Sequence, residues 1–275
     1  MQIGIFSRTY ENMPLEAVFR EMDRQGIHHT QFNLSSAGMD TLPESFDEER
    51  LFTVRALAAE YGISLDALSG TFNMIDPDVD ARTQGCRQFE TQCRVAHLLE
   101  IPIVTLCTGS KHPTNKWAWH ADNLTEAAWS DLMRSTEQIL RYAEDNHIIL
   151  GVETEVSNII CTPEKARRYL DTVGSPNLKI IMDGANLFRP EQVPRMAEIL
   201  EESFDALGKD IVLAHAKDFS LRGDISFVAA GEGELDFPLY IRLLKQYGYG
   251  GPLVLHGLAR SQIEKSAAFL KRAMV

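Results

Sequence analysis

The chain has 275 residues, of which 44% are hydrophobic and 24% charged, and its formal net charge is −12 at pH 7. This composition is typical of a globular domain with a sizeable core, and the acidic balance argues against nucleic acid as a partner, because a phosphate backbone needs basic surface. No apolar run approaches the roughly 18 residues that a membrane helix needs. No basic leader precedes the first apolar run, and the four cysteines form no CxxC pair, so we expect a cytoplasmic protein with reduced thiols.

Short apolar runs alternate with longer amphipathic segments along the whole chain. The apolar runs predict strands at 3–7, 28–33, 63–69, 103–107, 148–155, 178–183, 211–215 and 253–256. Helical patterns follow them at 14–25, 46–61, 81–99, 125–145, from 163 onward, and at 190–207, 236–248 and 260–274. Strands that are apolar throughout and separated by helices indicate a parallel sheet covered on its outer face.

Eight such strand–helix units predict an α/β fold, a single-domain (β/α)₈ TIM barrel over residues 1–275. An open doubly wound sheet fits the same pattern less well, because no Gly-rich dinucleotide fingerprint follows the first strand. No linker or low-complexity tract marks a domain boundary.

Four residues with metal-ligating side chains end four successive predicted strands. They are Glu155, Asp183, His215 and His256, at the ends of strands five to eight. A lone aspartate or histidine at such a place is usually a turn or cap residue. In a barrel, however, the carboxyl ends of all strands meet on one face, so the four together predict a site for one divalent cation. Mixed nitrogen and oxygen ligands favour Mn²⁺, Co²⁺, Fe²⁺ or Zn²⁺ over Mg²⁺, and the choice stays open.

Several motifs resemble those of the xylose isomerase-like (β/α)₈ proteins, which include sugar-phosphate isomerases and epimerases, inosose dehydratases and the AP endonuclease family 2 enzymes such as endonuclease IV. Glu155-Val-Ser-Asn158 looks like the family's E-x-x-N, and Asp183-Gly-Ala-Asn186 looks like its D-x-x-H or D-x-x-N. His215-Ala-Lys-Asp218 is similar to H-x-K-D, and the stretch 231–237 is similar to G-x-G-x-x-D-F. Gly248-Tyr-Gly-Gly251 looks like the usual approach to strand eight.

The resemblance implies a metal-dependent isomerase or epimerase that acts on a small sugar or sugar-like hydroxy-carbonyl compound through an enediolate. It implies Glu155, Asp183 and His215 as metal ligands, with Glu155 also the catalytic base. The family usually has a glutamate at the end of strand eight, where this chain has His256. His256 is therefore expected to bind the metal, to act as a second acid or base, or to do neither. An inosose-type dehydratase would use the same site and stays open as an alternative.

Other polar residues are candidates for substrate binding. Lys217 lies two residues after His215 and is expected to hold a substrate oxyanion or assist proton return, or else to form a salt bridge. Arg222 is a candidate for binding a phosphate or carboxylate of the substrate. Asn158 and Asn186 are candidates for hydrogen bonds to sugar hydroxyls or for fixing the loops. Glu153 is expected to orient a ligand or to lie in a buried ion pair rather than to bind the metal directly.

The stretch 111–120 is a long and aromatic βα loop that includes Trp117. Such a loop predicts either a wall of the sugar site or an interface anchor in a homo-oligomer. Two further hypotheses rank behind the isomerase. An endonuclease IV-like phosphodiesterase would need several more histidines from strands one to four, which end in Ser7, Asn33, Ser69 and Thr108. A non-catalytic barrel would not need the metal ligands.

Overall fold

Eight parallel strands close into a ring in the computed structural model, which describes residues 1–275. The strands are β1 (Ile3–Phe6), β2 (His29–Phe32), β3 (Ser64–Ser69), β4 (Ile103–Cys107), β5 (Ile149–Glu153), β6 (Leu178–Asp183), β7 (Ile211–Leu221) and β9 (Leu253–Leu255), with β8 (Ile225–Ala229) outside the ring. Each strand from β1 to β7 pairs with the next, and β9 pairs with both β7 and β1. The predicted (β/α)₈ barrel is confirmed.

One helix follows each strand of the ring and covers its outer face. The helices are α1 (Leu15–Arg24), α2 (Glu48–Glu60), α3 (Val79–Leu98), α4 (Glu126–Asp145), α5 (Pro163–Val173), α6 (Met196–Leu207), α7 (Phe237–Gln246) and α8 (Ile263–Ala273). Side chains cap several N-termini, as at α5, where Thr162 accepts a hydrogen bond from the Lys165 amide and Pro163 is the first helical residue. None of the helices combines the length and the apolar character that crossing a membrane requires.

A small apolar cluster fills the inside of the ring. Its members come from five strands and are separate from the main core between strands and helices: Ala67, Ile103, Ile181, Leu213 and Val254. Alternate residues of a strand point to the same face. Asp183, His215 and His256 each follow one of these residues by two, so they point from the same interior face toward the mouth of the barrel.

Gly151 occupies the interior position of β5. A Cβ atom there would lie 2.8 Å from Ile181 and 3.3 Å from Ile103. The first distance is too short for any real Cβ atom, so this layer has room for glycine only. Glu153 follows Gly151 by two and therefore also points to the interior.

Five strands end at other places than predicted, and two of them, β1 and β2, end one residue early, at Phe6 and Phe32. β5 ends at Glu153 and β9 at Leu255, whereas β7 continues six residues past His215 to Leu221. This extension turns back as β8, which pairs with it in antiparallel register, for example Phe219 with Phe227. No strand was predicted between residues 216 and 235, so the sequence-based elements miss this hairpin.

Candidate functional site

Three side chains with metal-ligating atoms meet at the carboxyl end of the barrel. They are Glu153 at the end of β5, Asp183 at the end of β6 and His215 within β7, and their ligating atoms lie within 4.8 Å of one another. The Nδ1 atom of His215 is 3.5 Å from Oε1 of Glu153 and 3.4 Å from Oδ2 of Asp183. We call these three residues the acidic cluster.

Two atoms of the acidic cluster are buried without a hydrogen bond. They are Oδ2 of Asp183 and Nδ1 of His215. Burying a polar atom without a partner costs free energy, and both atoms face the same space. A carboxylate oxygen, an imidazole nitrogen and a second carboxylate are ligands that suit a divalent cation. The donors present therefore fit a metal ion, which would satisfy both buried atoms.

Gln31 at β2 fixes which nitrogen of His215 carries the proton. The amide oxygen of Gln31 lies 2.8 Å from Nε2 of His215. An amide oxygen can only accept, so Nε2 donates. When the ring is neutral, as a metal ligand must be, its lone pair is therefore on Nδ1, the atom that faces the two carboxylates. Outer hydrogen bonds of this kind are common behind metal-binding histidines. Gln31 was not predicted as a site residue, because β2 (His-Thr-Gln-Phe) is mostly polar and a glutamine does not stand out in it.

The charged groups of the acidic cluster and Lys217 shift one another's pKa values. Burial lowers the pKa of His215, but the carboxylates of Glu153 and Asp183 outweigh it and raise the pKa to about 9. Burial tends to raise the pKa of Asp183, but the ammonium of Lys217 and the ring of His215 hold it well below its ordinary value. The two pKa shifts show that the carboxylates, the ring of His215 and the ammonium of Lys217 stabilise one another's charged forms.

Lys217 and Asn186 complete the wall next to the acidic cluster. The ammonium of Lys217 is buried and lies 3.0 Å from Oδ2 of Asp183, without the alignment of a hydrogen bond. It donates to Oδ1 of Asn186 at 2.6 Å, and Nδ2 of Asn186 donates to Oε1 of Glu153 at 2.6 Å. Burial lowers the pKa of Lys217, but Asp183 and Glu153 raise it above its ordinary value, so the group is charged. Asn186 thus orients both a candidate ligand and the lysine.

Glu155 lies outside the acidic cluster, where Glu153 takes the place predicted for it. β5 ends at Glu153, and the chain turns at Glu155, whose backbone amide bonds to the Ile160 carbonyl at 3.2 Å. The Glu155 carboxylate accepts hydrogen bonds from the Ser157 hydroxyl at 3.1 Å and amide at 3.4 Å. Burial raises the pKa of Glu155, the charge of Lys217 opposes this, and that of Glu153 adds to it. The alternation of β5 does not extend to Glu155, because the ladder stops two residues earlier.

His256 also lies outside the acidic cluster but packs against it. β9 ends one residue earlier, and the imidazole of His256 is stacked between His215, at 4.8 Å between ring centroids, and Phe6, at 5.0 Å. Its Nδ1 atom is buried without a hydrogen bond. Burial, followed by the charges of His215 and Lys217, lowers the pKa of His256 well below its ordinary value, so the ring is neutral.

Two residues predicted to bind substrate have other surroundings. Asn158 is fully buried, and its side-chain oxygen accepts a hydrogen bond from the Gly109 amide at 2.7 Å, which fixes the loop after β5 to the loop after β4. Arg222 is exposed in the turn between β7 and β8. At about 3.3 Å per strand residue, the turn is roughly 16 Å along the strand from Lys217, too far for Arg222 to reach a substrate beside that ammonium without a large movement.

The aromatic loop, residues 111–120, lies beside the carboxyl end of β3. Nζ of Lys116 is 3.4 Å from the carbonyl of Thr71, which follows β3, and 5.2 Å from the ring of Trp117. Trp117 is 52% exposed and Trp119 44%. Asn123 holds the loop in place, because it accepts from the Lys111 amide and donates to the Ser157 carbonyl.

No second group of possible metal ligands is present in the molecule, and β1 to β4 contribute none to the acidic cluster. The additional histidines that a three-zinc phosphodiesterase would need are therefore absent from these strand ends.

Comparisons with known proteins agree with this architecture. The family model described as xylose isomerase-like TIM barrel matches residues 12–273. A ketose 3-epimerase of Arthrobacter globiformis is 23% identical over 251 residues, which span 88% of this chain and 81% of the relative. Among solved structures, the 3-keto-D-glucoside 4-epimerase YcjR of E. coli has a TM-score of 0.76 at 18% identity and covers 99% of both chains. A xylose isomerase-like TIM barrel protein of Mycobacterium smegmatis, in complex with magnesium, has a TM-score of 0.71 at 16% identity and covers 100% of this chain and 98% of that one.

Proposed function

Because the chain belongs to the xylose isomerase-like TIM barrel family, we propose that it is a metal-dependent isomerase or epimerase of a small sugar or sugar-like hydroxy-carbonyl compound. The epimerase activities of the Arthrobacter globiformis and E. coli relatives support this class of reaction. The observation that carries the proposal is the pair of buried atoms without a hydrogen bond in the acidic cluster, Oδ2 of Asp183 and Nδ1 of His215.

In this proposal Glu153, Asp183 and His215 hold the metal, and His256 packs behind His215. A divalent cation supplies Lewis acidity toward a carbonyl oxygen, which eases loss of a proton from the neighbouring carbon. Mn²⁺, Co²⁺, Zn²⁺, Fe²⁺ and Mg²⁺ all remain candidates, and the magnesium complex of the Mycobacterium smegmatis relative supports testing the last of these.

The two glutamates near the end of β5 then have separate roles. Glu153 holds the metal, and Glu155 acts as the base that removes the carbon-bound proton to give an enediolate. A carboxyl whose pKa is raised, as burial raises that of Glu155, is a stronger base than an ordinary one. The Ser157 hydroxyl and amide fix its orientation. The charged Lys217 is placed to stabilise negative charge on the substrate, and Lys217 or the neutral His256 is proposed to assist proton return.

The test is exchange of the carbon-bound proton in D₂O. The protein is loaded with Mn²⁺ and incubated with a panel of ketoses, and deuterium incorporation and product sugars are followed by NMR. We expect exchange and isomerised or epimerised product with the wild type and with Glu60→Gln, an exposed control. Glu155→Gln should lose exchange while keeping the metal. Loss of water from the substrate would instead favour the dehydratase, and no exchange with any sugar would overturn the proposal.

A further inference from the structure

The hairpin of β7 and β8 stands above the closed ring. β8 pairs only with β7, in antiparallel register from Lys217 opposite Ala229 to Leu221 opposite Ile225. The ring closes through β6, β7 and β9 without it. The hairpin is therefore not needed to complete the barrel. Its side chains are available to line the site at the carboxyl end of the barrel.

Phe227 brings an aromatic ring from this hairpin to the acidic cluster. Nζ of Lys217 lies 4.0 Å from the ring centroid of Phe227. The same ammonium lies 3.0 Å from Oδ2 of Asp183. The ring of Phe227 is thus one side chain away from a proposed metal ligand.

Phe227 nevertheless stays 46% exposed, whereas Phe219, its cross-strand partner, is completely buried. A ring that only shielded Lys217 or filled the core would gain more from being covered, because burial of an aromatic side chain is the main source of its stabilisation. Beside a polar cluster, a half-exposed ring offers a free apolar surface that water covers poorly. Sugars have matching surfaces, since the C–H groups on one side of the ring or chain form an apolar patch between the hydroxyls.

We propose that Phe227 is a specificity-determining residue that forms one wall of the substrate site and packs its exposed surface against the C–H face of the sugar. The inference rests on the proposed function and deepens it. It places the substrate against the part of the Phe227 ring that Lys217 leaves uncovered, with the ammonium of Lys217 beneath the ring. A substrate without a continuous C–H face, such as a three-carbon hydroxyketone, would gain nothing from this wall.

The experiment compares steady-state kinetics of Phe227→Ala, Phe227→Leu and Phe227→Trp with wild type, on the ketose that the wild type converts best and on dihydroxyacetone, with Mn²⁺ present. Phe52→Ala is the matched control, because Phe52 is 53% exposed on α2, on the outer face of the barrel. For the ketose we expect KM to rise about tenfold in Phe227→Ala, with kcat within about twofold of wild type. Phe227→Trp should keep KM close to the wild-type value, because it retains an aromatic ring. Phe52→Ala should change neither KM nor kcat. Exchange of dihydroxyacetone should be the same in all variants.

An unchanged KM for the ketose in Phe227→Ala would overturn the inference, as would an equal loss for both substrates, which would mean that Phe227 only supports the fold. Loss of bound Mn²⁺ in Phe227→Leu would also overturn it. A wild type that exchanges no sugar at all would overturn the proposed function itself, and this outcome is distinct because it appears before any variant is compared.

Discussion

Gln31 and His215 are 184 residues apart in the chain, yet the amide oxygen of Gln31 lies 2.8 Å from Nε2 of His215. This hydrogen bond crosses the barrel interior from β2 to β7. It leaves Nδ1 of His215 as the free nitrogen beside Glu153 and Asp183.

Removing this hydrogen bond should weaken metal binding. In Gln31→Ala we expect the affinity for Mn²⁺ to fall roughly 10- to 100-fold, because the ring of His215 is then free to rotate and to take the other tautomer. Isothermal titration calorimetry measures the change. Gln246→Ala, at an exposed site at the end of α7, is the control and should bind as the wild type does. Equal affinities for the two variants would show that Gln31 does not position the histidine.

Gly151 should tolerate no side chain. A Cβ atom there meets Ile181 at 2.8 Å inside the ring, so Gly151→Ala should lower the free energy of unfolding by about 1–3 kcal/mol through overpacking. Urea denaturation followed by circular dichroism gives this value. Gly250→Ala is the control, because a Cβ atom at Gly250 has no neighbour within 4 Å. Equal free energies of unfolding for the two variants would mean that the interior layer around Gly151 has room for a Cβ atom, contrary to the structure.

Asn158 was predicted to bind a sugar hydroxyl or to fix loops, and a pair of variants separates the two roles. Asn158→Ala leaves the Gly109 amide without its partner, which should lower the free energy of unfolding by about 1–3 kcal/mol. Asn158→Asp keeps an oxygen acceptor and should lose less. Thermal unfolding and KM are measured together. A raised KM with unchanged stability would instead favour direct contact with the substrate.

Asp131 on α4 should make the stability of the aromatic loop depend on pH. Its carboxylate pairs with Lys111 of that loop and, at 3.2 Å, with Arg82 of α3, and it is 13% exposed. Burial raises its pKa, but Lys111 and Arg82 outweigh this and lower it below the ordinary value. A lowered pKa in the folded state means that the pairing stabilises the fold above the unfolded pKa of about 4 and is lost as the pH falls through the folded value.

Asp131→Asn should therefore be less stable than the wild type at pH 7 by roughly 1–2 kcal/mol. The difference should shrink as the pH falls below about 4, where the wild-type carboxyl also becomes protonated. Urea unfolding at a series of pH values measures both curves. A constant gap between them down to pH 2 would contradict the assignment.

The barrel could be predicted from the sequence because its signal repeats. Eight apolar runs separated by amphipathic segments leave few alternatives, and errors of one or two residues at each boundary do not change the topology. Asp183 and His215 were found in the same way, since each ends an apolar run.

The exact end of β5 could not be predicted. Glu153 and Glu155 are both glutamates and lie two residues apart, so both fit the alternation of the strand. The strand ends between them, and the Glu155 amide bonds instead to the Ile160 carbonyl within the loop that follows. The residue between them, Thr154, has a β-branched side chain that favours strands, so local propensity does not predict that the strand ends here. The β7–β8 hairpin, by contrast, did have a signal, since Gly223 and Asp224 precede the strand-like run from Ile225 to Ala229.

The central claim, that Glu153, Asp183 and His215 form a metal site which excludes Glu155, is tested most directly by metal content. Wild type, Glu153→Gln, Glu155→Gln and Asp183→Asn are incubated with Mn²⁺, passed through a desalting column and analysed by mass spectrometry of the metal. The prediction is about one ion per chain in the wild type and in Glu155→Gln, and almost none in the other two. Retention by Glu153→Gln together with loss in Glu155→Gln would contradict it.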